Sequence, residues 1–400
     1  MTDQGDPSTL LASDRQTSRP RRVIEQLARA SRYVRHQLES ATSEDRLRTL
    51  RVSTDPGAAN MAAYFNPNDR SIVIDRSVTD TEELNGLAFI VGHELRHALN
   101  GPDMERELHA FSQRTRFAAA RGLDYTAAMS GILQATRIDE ATANIAGWNA
   151  YVDTTATLVG HAPTALQLSG HWQADVVLER ADSGGAKFRA GYTSTEDMFL
   201  AETATSVETM ARRFYDRPGA LTGLGPLGDS DYLHYYAAWA IGHIGEVHVA
   251  YQPYRDEMRR RQGHNPRAAG PLGLDPLALP FENLGIETGQ LHRTGIDFGG
   301  TQHIPFLDIG TSRTGFLTAT DPKRLPPLPL PRPVLDMRER ITAPSLDERA
   351  TPRSATRAPG SRNAQAISGE SAVVRARRTT TPRTVARTGT TTRTPRGHDR

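Results

Sequence analysis

Five residues, His93-Glu94-Leu95-Arg96-His97, form an H-E-x-x-H pattern, and it has the most direct chemical reading in the chain. On an α-helix, positions four apart lie about 40° apart around the axis and one turn up, so both imidazoles can reach one metal ion at ~2.0–2.1 Å. Glu94 lies about 100° around from His93, beside such an ion rather than on it. There its carboxylate can take a proton from a water that the ion has acidified. The residues therefore predict zinc (Zn2+) as cofactor, His93 and His97 as ligands and Glu94 as general base. His243, Glu246 and His248 form a second local cluster, but their spacing is not H-x-x-E-H, so no inverted zinc site is expected there.

These side chains need a helix to hold them and a scaffold to hold the helix. Thr79 and Glu82 have capping-box spacing ahead of LNGLAFIVGHELRHAL, and Asn100-Gly101-Pro102 predicts the stop. Upstream, Met61–Phe65 and Ser71–Asp75 flank the turn cluster Asn66-Pro67-Asn68-Asp69 and predict a strand pair. Arg22 to about Leu50 reads as one helix. Met104, Leu108, Phe111 and Phe117 mark another, ending near Arg121-Gly122, and one or two more helices cover Tyr125 to Val152. Further on, a hairpin is expected around Ser183–Gly185, helices over 195–215 and 232–251, and loops with short strands over 266–320. The expected fold class is α+β, mainly α.

Around the motif, AYFNPNDRSIVID followed by LAFIVGHELRHALNG resembles the zincin metallopeptidases over about residues 60–150. The resemblance implies peptide hydrolysis. It also implies an edge strand, within Tyr64–Asp75, that takes extended substrate by strand addition ahead of the active-site helix. The third ligand separates the subfamilies. The metzincin continuation fails, because Asn100 and Asp103 stand where its Gly and His would be, although an Asp at 103 could itself bind metal. Asp139-Glu-Ala-Thr-Ala-Asn-Ile-Ala-Gly147 is similar to the gluzincin helix E-A-x-x-D-I-x-G, with Asn144 in place of the Asp. That likeness implies Glu140 as zinc ligand and Asn144 as the support for a histidine ring. Glu107 is the rival: if 84–99 and 103–121 were antiparallel helices joined at the Gly-Pro turn, it would stand level with His97. For the oxyanion, His234 in Asp229-Ser-Asp-Tyr-Leu-His234 resembles an element of thermolysin-type enzymes. Tyr215 in Arg212-Arg-Phe-Tyr215 resembles the R-x-x-Y element of neurotoxin and effector-type zinc proteases.

The chain has 400 residues and no cysteine, which excludes disulfides, Cys-ligated metals and a Cys nucleophile. Its mean hydropathy is −0.52, polar for a chain folded throughout. Residues 321–400 hold 17 Lys+Arg against 7 Asp+Glu and no aromatic residue, so a Pro/Arg/Thr-rich basic tail follows a mildly acidic body. Three regions are expected: a disordered N-terminus (1–20), a zincin-like body (21–320, core 60–150, helical and loop-rich remainder 151–320) and a disordered tail (321–400) that peptide cleavage does not need. Lys323-Arg-Leu-Pro326-Pro-Leu-Pro329 fits a polyproline ligand pattern, more often a stiff spacer. The expected partner is a protein or peptide substrate, with weak electrostatic contacts through the tail and no specific nucleic acid. No apolar run reaches the ~18 residues of a membrane span. The polar start predicts a cytoplasmic product, and also fits export by a leaderless secretion machine. Two other readings share these residues: an effector or toxin protease with a single target, and a zincin-derived binding module that has lost catalysis.

Overall fold

The computed structural model describes residues 18–53, 61–182, 184–225, 227–265, 271–320 and 372–374. In chain order the elements are α1 (Ser18–Ala30), α2 (Arg32–Ser43), β1 (Thr49–Ser53), β2 (Met61–Asn66), β3 (Ser71–Asp75), α3 (Arg76–Thr81), α4 (Leu84–Phe117), α5 (Thr126–Val159), α6 (Ala165–Leu168), α7 (Ala174–Val177), β4 (Leu178–Arg180), β5 (Ala186–Phe188), α8 (Ala204–Phe214), α9 (Gly219–Thr222), α10 (Tyr232–Ala250), α11 (Gln252–Arg261), β6 (Leu277–Leu279), α12 (Phe281–Leu284), α13 (Thr288–Thr294), β7 (His303–Asp308), β8 (Thr314–Thr318) and β9 (Ala372–Val374). The fold is α+β and mainly helical. A four-stranded sheet runs β1-β3-β2-β9, a three-stranded one β6-β7-β8, and β4 pairs with β5.

The strand pair falls where alternation and turn residues put it. β2 and β3 are antiparallel in the register Ala63↔Ile74, Tyr64↔Val73, Phe65↔Ile72 and Asn66↔Ser71. β3 is central, and Ile72, Val73 and Ile74 are all buried, as a strand covered on both faces requires. Its other neighbour, β1, is parallel and begins at the end of the stretch read as one helix from Arg22 to about Leu50. That helix breaks at Ser31, whose extended backbone and hydroxyl cap α2 by accepting from the Val34 N–H. Asp153 of α5 completes the break: its Oδ2 accepts from the Ser31 hydroxyl and the Tyr33 N–H, both at 2.8 Å, setting a carboxylate at the positive end of α2.

Two helix boundaries differ from the sequence reading. Thr79 lies inside the short α3, and α4 starts after Glu83, which makes no side-chain cap. Nor does α4 stop at Gly101-Pro102. It continues to Phe117 with Pro102 inside it. A proline in a helix interior forfeits a backbone hydrogen bond and clashes one turn back, at a cost of ~3 kcal/mol. Burial of Met104, Leu108, Phe111, Ser112 and Thr115 beyond the proline offsets that cost. The 103–121 segment therefore extends the motif helix instead of folding back on it.

α4 and α5, 34 residues each, pack along one another and form the centre of the body. Two glycines set how closely they approach. A Cβ on Gly92 would stand 2.6 Å from the Ala150 side chain, and one on Gly147 would stand 2.8 Å from the Phe89 carbonyl oxygen. Gly92 precedes His93 and Gly147 lies two turns after Glu140, so the close crossing falls at the predicted ligands. The expected disordered ends lie outside the described residues, as does Lys323–Pro329, except that Ser18–Pro20 open α1 and Ala372–Val374 form β9. No helix among the described residues is long and apolar enough to cross a membrane.

Candidate metal centre

Consecutive turns of α4 carry His93 and His97 on the face turned to α5, and α5 presents Glu140 opposite them. All three are buried. The two Nε2 atoms lie 2.9 Å apart, and His93 Nε2 lies 3.6 Å from Glu140 Oε2. One donor atom from each residue falls within 4.8 Å of the others. Donors on a tetrahedral ion at ~2.0–2.1 Å stand about 3.3 Å apart, and the two close distances bracket that value. Burial, with His97 next, pushes the pKa of His93 well below its ordinary value, which keeps the ring in the neutral form that a ligand needs. Two imidazoles meet the Glu140 carboxylate at one buried spot, the Asp139 carboxylate lies against His97, and Glu94, next to His93 in the chain, is buried as well. Clustered carboxylates repel in a low dielectric, and a divalent cation between them removes that cost. The donor set thus fits zinc in both chemistry and spacing.

The supports of the site come from α5 and α10. His97 Nδ1 lies 2.8 Å from Asp139 Oδ2, at ion-pair distance though not aligned as a hydrogen bond. Asn100 Nδ2 donates to Asp139 Oδ1 and to Thr142 Oγ1, both at 2.9 Å, which fixes that carboxylate. Asn144, which the gluzincin likeness put in the supporting role, instead donates to the Glu140 backbone carbonyl one turn back. The acid immediately before Glu140, unremarked in the motif reading, sits beside the ring. On the other side Tyr236 donates to Glu140 Oε1 at 2.9 Å, leaving Oε2 toward His93. The rings of Phe89 and Phe214 flank His93 at 6.4 and 6.5 Å and give the site apolar walls.

Other candidates stand elsewhere. Glu107 lies ten residues beyond His97 on the same helix, about 15 Å along the axis, and pairs with Arg114. Asp103 pairs with Arg106 at the surface. The antiparallel arrangement that would have brought Glu107 to the site does not form, because α4 is continuous. His234 is committed on both nitrogens: Nδ1 lies 2.8 Å from the Asp231 carboxylate, and Nε2 accepts from the Glu287 N–H at 2.9 Å. A ring held so pins α10 to the segment before α13 and has no proton to offer an oxyanion. The Tyr215 hydroxyl shares a hydrogen bond with Thr136, and Arg212 faces solvent beside Glu208. Tyr215 instead stacks on Tyr232 and Tyr236, which positions them. Tyr232 is buried, and burial, then the nearby Glu140 and Glu94 charges, pushes its pKa well above the ordinary value, so it keeps its proton.

The Asp139 contact has a measurable consequence. Asp139→Asn keeps the Asn100 neighbourhood filled but removes the charge beside His97. Zinc affinity is expected to fall about 10–100-fold with the fold intact. Competition titration against a zinc-binding dye reads this directly, and unchanged affinity would mean that Asp139 does not support the ring.

Comparison of the chain with protein-family models, with curated proteins and with solved structures finds no match in any of the three.

Proposed function

We propose that the chain is a zinc-dependent metallopeptidase of zincin type, gluzincin-like in its ligand set, that hydrolyses peptide bonds. One observation carries the reading: Glu140, 43 positions after His97 and on another helix, meets both histidines of H-E-x-x-H in a buried cluster. His93, His97 and Glu140 would hold the metal. Zinc bound there supplies Lewis acidity toward a water and a carbonyl oxygen. The Glu94 carboxylate accepts the proton of the attacking water and returns it to the leaving amine. Asp139 orients His97, and Tyr236 holds one oxygen of Glu140.

The test uses the purified full chain and a diverse peptide mixture, with products read by mass spectrometry. Internal cleavages are expected, abolished by a chelator and restored by stoichiometric zinc. A zinc-loaded protein that cleaves no peptide in the mixture would contradict the reading.

A further inference from the structure

β2 is paired on both sides. Its inner edge meets β3, and its outer edge meets the three-residue strand β9 of the C-terminal region. The pairing is antiparallel, with Met61↔Val374, Ala63↔Val373 and Tyr64↔Ala372, and the register shifts between Met61 and Ala63. β9 also lies against α4, the helix that carries His93 and His97. The C-terminal region thus lays an extended strand along the outer edge of the sheet and against α4.

Three features make this pairing more than a stray contact. An open strand edge offers a row of backbone N–H and C=O groups that another extended chain can complete, and β2 without β9 would present such a row among the described residues. Residues 321–371 give a tether of 51 residues from the body, which at up to ~3.3 Å per residue is ample reach. Val373-Val374 is also the one adjacent valine pair in residues 321–400, a stretch otherwise dominated by Arg, Thr and Pro, and β-branched residues suit a strand.

The structure assigns residues 372–374 as a resident strand that closes the outer edge of β2 in cis, and we infer that this edge accepts extended peptides, with which the tail competes. The competition rests on the metallopeptidase reading only where it concerns substrate; occupancy of the edge by the tail does not. Both chains would use the same backbone groups of Met61–Tyr64. Covalent attachment raises the strand's concentration at the edge above that of the same peptide free in solution, so even weak three-residue pairing holds the edge for part of the time. The tail then raises the apparent KM for an extended peptide and leaves kcat unchanged, because a bound substrate has already displaced it. This differs from the sequence-based expectation that peptide cleavage is indifferent to the tail.

The test keeps the chain whole. Adjacent residues of a strand point their N–H groups to opposite sides, so Val373→Pro with Val374→Pro removes whichever donor faces β2 and disfavours the pairing. Thr391→Pro serves as control. In the double variant, amide hydrogen exchange at those of Ala62–Tyr64 whose N–H groups face β9 is expected to speed up by about threefold or more, with the rest of the body unchanged. A synthetic peptide copying residues 369–378, added in trans, should restore the protection, and KM for peptide substrate should fall about threefold or more at constant kcat. Equal exchange in wild type and double variant would overturn the tail–edge pairing. Faster exchange without protection by the peptide would overturn the edge as a peptide-accepting surface. Faster exchange and restored protection with an unchanged KM would overturn the competition. If no form cleaves peptide, the metallopeptidase reading fails, and the exchange and protection results still decide the edge.

Discussion

Glu94→Gln is expected to bind zinc as wild type does and to lose hydrolysis by about 10²–10⁴-fold in kcat. The reason is the division of labour along one helical turn. His93 and His97 share the face of α4 that meets Glu140, whereas Glu94 stands about 100° around from His93. The amide matches the carboxylate in shape, so the buried packing survives, but it accepts no proton near neutral pH. Zinc stoichiometry and steady-state kinetics on the same preparation separate the outcomes. Loss of metal together with activity would make Glu94 a ligand or a structural partner instead of the base.

A paired substitution tests the ligand set. Glu140→Ala removes the α5 member of the His93–His97–Glu140 group and is expected to release the zinc during dialysis, with hydrolysis lost beyond detection. It also removes the carboxylate to which the Tyr236 hydroxyl donates, at a cost of about 1–3 kcal/mol in stability. Glu107→Ala removes one half of a part-exposed pair with Arg114, so zinc content should equal that of wild type and stability should stay within about 0.5 kcal/mol of it. Release of the metal by the second variant and not the first would reverse the assignment of Glu140 while leaving the two histidines in place.

The sequence carried the chemistry further than the scaffold. H-E-x-x-H is local, and its helical phase predicts that His93 and His97 share one face of α4, a placement the structure shows. Glu140 came through the likeness of its helix to a known one, and the geometry agrees because Gly92 and Gly147 let the two helices cross closely at that point. Asp139 was missed for a geometric reason. Its role depends on which side of α5 faces His97, and that is settled by packing between helices, not by spacing within one. Pro102 misled for a similar reason: proline and glycine signal a stop from local propensity, while the buried stripe from Met104 to Thr115 rewards continuation. That one error also made Glu107 a rival. β1 was hidden because its five residues, Thr49–Ser53, draw their partner from β3, some twenty positions on. β9 was hidden more deeply, since no local pattern in an Arg/Thr-rich tail announces a strand whose register is supplied by β2.

The most direct test of the whole account is the metal content of the protein itself. Elemental analysis of the full chain, purified without chelator, should find close to one zinc per molecule, and His93→Ala and His97→Ala should each reduce it to background while keeping the helical content of the wild type. A wild-type protein that carries no transition metal and takes up none from a zinc buffer would contradict the account, whatever the fate of Glu140.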